Sequence, residues 1–586
     1  MSVPKEPGRR SRSSGATGAI RLCVVAACAV LAACAADNPV QPSGLATLRG
    51  PAAVLNPACD PGLGGQTHSE SSISSPVTWT RASNPHRVSA DILVTSRLTL
   101  EPGVVVCFGW SSKLVFYNGG YLVADGLDTA RIVLTAIDPA TAWEGLSFTS
   151  PVASSLKNVY LDHVAPDVSA IVSSDSSAVV IDSSVFRHAG AGLYLNGRGS
   201  SISRSLVDTT ARTGLAAVTL GTLGRFEETV IRGAAGVGLQ SIGVHGVSLL
   251  GGRIEGSGGV GLVVTTTGPG IVATRPIRVI GGASYPAELV VSAFPRIYPA
   301  LVDQDSLLGN ARDTLVVTGG ILQAFAYPIQ ALPWRVTGDI IVQNFGILRA
   351  GPGASLAFTR YNALIARNGG RVVARGTQAA PVLFTAAEGP NPYYGWGGIS
   401  LRDAPSLGSY LTNVRIEEAY SVEAIANHTV EIDSAVFRKV GAVIVGTSGS
   451  RISRSRVDST TFAGPVGAAV LLGPNAKIES TLIRGSAGAG LSVNFASAQV
   501  LSCEIRGSAG AGIELRAVVA VHDCNLVNNG GPGIANLAPA YQGSADVTNN
   551  WWGDTGGPTG PNGDGASGLL TYTPWRLTPF VLPYVP

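Results

Sequence analysis

Apolar and polar residues alternate in short runs along most of the chain, and the runs recur. Ile231-Arg-Gly-Ala-Ala-Gly-Val-Gly-Leu239 returns 23 residues on as Ile254-Glu-Gly-Ser-Gly-Gly-Val-Gly-Leu262. Ile483-Arg-Gly-Ser-Ala-Gly-Ala-Gly-Leu491 returns 22 on as Ile505-Arg-Gly-Ser-Ala-Gly-Ala-Gly-Ile513, and Leu526-Val-Asn-Asn-Gly-Gly-Pro-Gly-Ile534 follows 21 later. Each unit reads as a short strand, a Gly or Asn turn, and another short strand. Alternation sends every second side chain of a strand inward, and Gly or Asn takes a positive-φ turn at little cost. Long helices are disfavoured by 74 glycines and only 13% charged residues.

A second repeat of about 250 residues overlies the first. Glu101-Pro102-Gly103 matches Gly351-Pro352-Gly353, and Cys107-Phe108 matches Ala357-Phe358. Ile181-Asp-Ser-Ser-Val-Phe-Arg187 matches Ile432-Asp-Ser-Ala-Val-Phe-Arg438, and Trp143-Glu-Gly-Leu146 matches Trp396-Gly-Gly-Ile399. Units of this length with three short strands resemble the pectate-lyase-like right-handed parallel β-helix. The opening of each copy and the closing run Asn549-Asn-Trp-Trp-Gly-Asp-Thr-Gly-Gly-Pro558 are similar to segments of bacterial β-helix surface proteins. The resemblance covers residues 76–575. It implies an all-β solenoid of on the order of 20 rungs, in two tandem copies, 76–325 and 326–575, with a tail at 576–586.

The beginning of the chain reads as an address. Arg9, Arg10, Arg12 and Arg21 precede the apolar run 22–33, which is too short to span a bilayer but suits a signal peptide. Leu31-Ala-Ala-Cys34 resembles the bacterial lipobox, which implies cleavage after residue 33 and acylation of Cys34. Ala35 in the next position favours the outer membrane, so the expected partner is the membrane, through the lipid anchor. Residues 34–75, rich in Pro, Ser and Gly, read as a tether and N-terminal cap. Without residues 1–33, the formal charge of +3 falls to near neutrality, 36 basic against 37 acidic residues. Such a body carries no electrostatic footprint for nucleic acid.

Candidate chemistry is sparse. The recurring Gly-x-Ala-Gly-x-Gly lacks the helix that a phosphate loop needs and reads as a turn. Tyr160-Leu-Asp-His163 resembles a segment of pectate lyases, but its duplicate, Arg415-Ile-Glu-Glu418, loses the histidine, so a strand edge is expected. Glu417, Glu418 and Glu423 read as a solvated face, and Asp554 and Asp564 as turn residues rather than calcium ligands. Residues 76–575 hold only four lysines, Lys113, Lys157, Lys439 and Lys477, none in an acidic cluster. The paired carboxylates of glycosidases and zinc-type cysteine spacing are not evident, and no catalytic residue, metal or cofactor is expected. An insertion before Trp396 brings Tyr393 and Tyr394, so these three rings are the candidate ligand contacts, by carbohydrate stacking.

Four cysteines remain beyond the leader. Cys59 and Cys107 are expected to form a disulfide that pins the cap, since the second copy has Ala357 in the place of Cys107. Cys503 and Cys524 should stack in adjacent rungs, either bonded or as buried thiols. Asn528 and Asn529 recur as Asn549 and Asn550, so side-chain stacking of these pairs is expected. The expected function is a lipid-anchored surface β-helix that binds or displays, with carbohydrate as the favoured ligand. A polysaccharide lyase or glycoside hydrolase and a purely structural envelope protein are the alternatives.

Overall fold

The computed structural model describes residues 56–140, 142–265, 271–293, 307–323, 326–329, 333–389, 395–404, 408–458 and 467–582. The described residues all belong to one compact unit. The leader with Cys34, and Tyr393 and Tyr394, lie outside the described residues. Among the described residues there are strands and short 3-10 turns but no α-helix.

The strands wind through three faces. Val105–Phe108 on the second face leads to Leu114–Phe116 on the third and Tyr121–Asp125 on the first, and Ile132–Ala136 then returns to the second. Successive rungs pair in parallel, Val133 opposite Val105 and Leu146 opposite Leu114. The third face is one unbroken sheet of twenty strands, from Ser72–Ile73 to Asn525–Val527. At about 4.8 Å per strand, that stack is roughly 90 Å long.

Midway, the first and second faces fuse into single long strands, Arg225–Ala234, Ser248–Glu255 and Val272–Ile280. The third face continues through Leu289 opposite Val317 and Val317 opposite Val336. Two new sheets start beside it at Gly320–Gln323 and Ala326–Ile329. The segments that match at 250 residues therefore do not share a face. Val105–Phe108 lies on the second face, whereas its match, Ser355–Phe358, lies on the third. The long repeat advances by one face in addition to whole rungs.

Inward positions stack into ladders. Phe116 lies on Phe148 with ring centroids 4.8 Å apart, Phe108 on Trp143 at 3.9 Å, and Phe358 on Trp396 at 4.5 Å. Each buried aliphatic or aromatic side chain contributes on the order of 1.5–3 kcal/mol, and the sum accumulates rung by rung. Two residues after each tryptophan a glycine is obligatory: Gly145 has φ 78° and Gly398 φ 93°. A Cβ on Gly398 would lie 1.9 Å from the Ser421 carbonyl oxygen.

A polar ladder runs down one turn. The N–H of Ser184 donates to the Ser205 hydroxyl (3.1 Å), and the N–H of Ser205 donates to the Thr229 hydroxyl (3.3 Å). In the second half the N–H of Ala435 donates to Ser455, Cys503 to the Cys524 sulfur, and Cys524 to the Asn550 amide oxygen. Each hydroxyl or thiol also donates two residues back, as Ser205 does to the Ser203 carbonyl and Cys524 to the His522 carbonyl. Buried N–H groups are thereby satisfied outside the strand ladders. Cys503 and Cys524 are free buried thiols filling Ser/Thr positions in this ladder.

This register overturns the expected stacking of Asn529 on Asn550. Asn525 pairs with Trp551, 26 residues on, which puts Asn550 beneath Cys524 instead. Asn529 accepts from the Ser508 N–H and donates to Asp564 at 2.5 Å. The longer last rung breaks the 21-residue spacing on which the expectation rested.

Candidate functional site

Cys59, in the turn Asn56–Cys59, is disulfide-bonded to Cys107 on the second face, with Cα atoms 5.8 Å apart. This bond ties the start of the described chain to the third strand of its face. Trp396 is a correction. It is 1% exposed, stacks on Phe358 and donates its Nε1–H to the Glu417 carbonyl at 2.9 Å. Trp143 does the same in the first half, on Phe108 and to the Asp162 carbonyl at 2.9 Å. Alternation in Trp396–Leu401 turns the indole inward, so it presents no face to a ligand.

The acidic groups are engaged as a solvated face. Glu417 is near Arg438 and Arg415 (3.8 and 3.9 Å), Glu418 near Lys439 (3.5 Å), and Glu423 accepts from Arg402 (2.8 Å). Asp554 accepts from the N–H groups of Gly556 and Asn562 and fastens its own loop. Asp564 accepts from Asn529. Burial outweighs these hydrogen bonds and raises its carboxyl above the ordinary value.

A constellation of which sequence reading saw only the Tyr160–His163 half stands where strands of the second face end. Asp162 and His163 follow Val159–Leu161, and His188 follows Val185–Arg187, the strand paired with it (Leu161 opposite Phe186). His188 Nδ1 is 2.9 Å and His163 Nδ1 is 3.3 Å from the two oxygens of Asp162. The imidazoles stack at 5.1 Å, and both histidines have left-handed backbones, φ 58° and 43°. Asp162 is buried, and its carboxylate accepts from the Tyr160 hydroxyl (2.9 Å) and the His163 N–H (2.8 Å). Burial, then the Asp162 charge and hydrogen bond, push the Tyr160 hydroxyl up to about 12, against a smaller opposing effect of Arg187. Beyond it Arg187, Asp208 and Arg232 stack with alternating charge, Arg232 donating to Asp208 at 2.9 Å. The sequence signals were the run Tyr160-Leu-Asp-His163, read as a strand edge, and the 25-residue spacing of His163 and His188, one rung at this point.

Residues 397–551 match the family model described as the right handed beta helix region. No curated protein and no solved structure matches the chain. With strands that pair in parallel from rung to rung through a twenty-stranded sheet, the chain is a right-handed parallel β-helix.

Proposed function

We propose that this protein is a lipid-anchored envelope β-helix that binds polysaccharide along its outer surface without cleaving it. One observation carries the reading. The outward positions of the third face, stacked from Ser72 to Val263, are all uncharged. From Ser72 to Tyr194 these positions are exposed or half-buried, a strip roughly 24 Å long at about 4.8 Å per rung; further on, Thr219 and Val263 are buried. The strip mixes apolar and hydroxyl side chains, with Leu93 and Tyr194 exposed, and the exposed rings of Trp110 and Tyr117 flank the strand Leu114–Phe116. Sugar rings present apolar faces edged with hydroxyls, and such a strip complements them better than the charged ladders beside it. The insertion carrying Tyr393 and Tyr394 is a second place for the same chemistry.

The test is a glycan array probed with the full-length protein in detergent, followed by calorimetric titration of each glycan retained. Tyr194→Ala and Trp110→Ala should each weaken binding about fivefold, as loss of roughly 1 kcal/mol per stacked ring implies. The double change at Tyr393 and Tyr394 separates the insertion from the strip. Retention of no glycan rejects the reading in favour of a structural envelope role. Reproducible release of unsaturated or reducing ends rejects it in favour of a lyase or hydrolase.

A further inference from the structure

We propose that Asp162, His163 and His188 form a binding site for one divalent transition-metal ion. One carboxylate oxygen and one ring nitrogen of each histidine all lie within 4.8 Å of one another, and the Nδ1 atoms of His188 and His163 stand 2.9 and 3.3 Å from the carboxylate oxygens. Donors at 2.0–2.2 Å from a shared tetrahedral ion stand about 3.3–3.6 Å apart, so small side-chain rotations from this spread would close the three groups on one ion. Two imidazoles and one carboxylate suit zinc, cobalt, nickel or iron rather than calcium or magnesium, which take oxygen ligands.

The surroundings are those of a ligand set held in place. The Tyr160 hydroxyl and the His163 N–H fix the carboxylate, and the Trp143 indole fixes the carbonyl of the same residue. Such outer hydrogen bonds orient metal ligands and tune their affinity. His163 Nδ1 is buried with no hydrogen-bond partner, although a carboxylate oxygen is 3.3 Å away. A buried polar atom without a partner is costly, and an ion between the two atoms removes that cost. The exposed His188 side chain leaves one side open to water, which would complete the coordination.

The second half of the chain supplies an internal contrast. At the matching turn stand Glu418, φ 59°, and Lys439, φ 50°, in place of His163 and His188, and they form an ion pair at 3.5 Å. The same backbone thus accepts a self-neutralising pair in one half. In the other half it holds two imidazoles around a single carboxylate. The neighbouring cation, Arg187, is directed to Asp208, 3.7 Å away on the next rung. The site is separate from the uncharged third-face strip and does not depend on it.

Full-length protein stripped with a chelator would be titrated with Co2+, read by visible absorption, and then with Zn2+ in competition. One equivalent should bind. Asp162→Asn and His188→Ala should weaken binding tenfold or more, and Tyr160→Phe about tenfold, through the outer shell. The double variant His163→Glu/His188→Lys, which rebuilds the pair found in the second half, should keep the wild-type circular dichroism and lose the site. Wild-type binding no tighter than in the double variant overturns the proposal. If the double variant does not fold, His188→Asn with an unchanged spectrum takes its place, and equal affinity there overturns it.

Discussion

The backbone N–H of Cys503 donates to the sulfur of Cys524, one rung further on, at 3.4 Å. Serine and threonine make the same bond in other rungs, so these cysteines are polar ladder members and not redox partners. Burial, then its contacts with Cys503, push the Cys524 thiol well above its ordinary range. Cys524→Ser should change stability by less than about 1 kcal/mol. Cys524→Val should cost about 1–3 kcal/mol, because the Cys503 N–H is left buried and unpaired. Denaturant midpoints of the two variants check this. A thiol reagent should label neither cysteine before unfolding.

The Cys59–Cys107 bond closes a loop of 48 residues in sequence separation. In the chain-entropy account such a loop contributes about 4 kcal/mol, less any strain. Reduction should loosen the first rungs and leave the later ones intact, since neighbouring rungs contribute nearly independently. Hydrogen exchange with and without reductant should show faster exchange confined to residues before Phe116.

Acid should destabilise the fold through two buried histidines. Burial lowers the pKa of His86 and His428, and hydrogen bonds to the carbonyls of Thr80 and Arg402 only partly oppose it. In the unfolded chain each takes a proton at its ordinary value of 6.5, while the folded form resists. Stability should therefore hold above pH 6.5 and fall as the pH drops through that value toward the depressed folded one. His428→Gln, which keeps a partner for Ser409, should flatten the slope of thermal midpoint against pH. An equal slope in the variant rejects this account.

Cys34 should carry fatty acid. An alkyne fatty-acid label should mark the wild-type protein and not Cys34→Ser, which should leave the membrane fraction. A soluble, unlabelled wild type rejects the anchor.

Trp396→Ala should cost about 3–5 kcal/mol, the usual range for emptying a buried aromatic site. It should leave glycan affinity unchanged in whatever fraction remains folded. A loss of affinity with intact stability would return Trp396 to the binding surface.

The strands, the rung length and the buried stripes were legible because alternation and glycine punctuation are local. Trp396 misled because a tryptophan beside a tyrosine-rich insertion resembles a binding loop, and only its stacking on Phe358 shows it facing inward. The Asn529–Asn550 expectation assumed a constant rung, which the 26-residue step from Asn525 to Trp551 breaks. The Asp162, His163 and His188 group was hidden for a related reason. Its ligands come from two rungs, and comparison with Glu417 and Glu418 made the histidine look dispensable. In a solenoid, chemistry is assembled across rungs, so motifs confined to one segment see half of a site.

The one-face advance between the matching segments bears on how a linear ligand of the proposed kind would be met. Had the 250-residue step returned to the same face, like residues would lie in line, and one straight polymer could bridge both stretches. Cys107 and its match Ala357 stand instead on different faces. A stiff linear ligand on one side meets only one of the two, and avidity between them needs a flexible or branched partner that reaches around a corner. The matching segments thus look out in different directions and do not line up in a single strip.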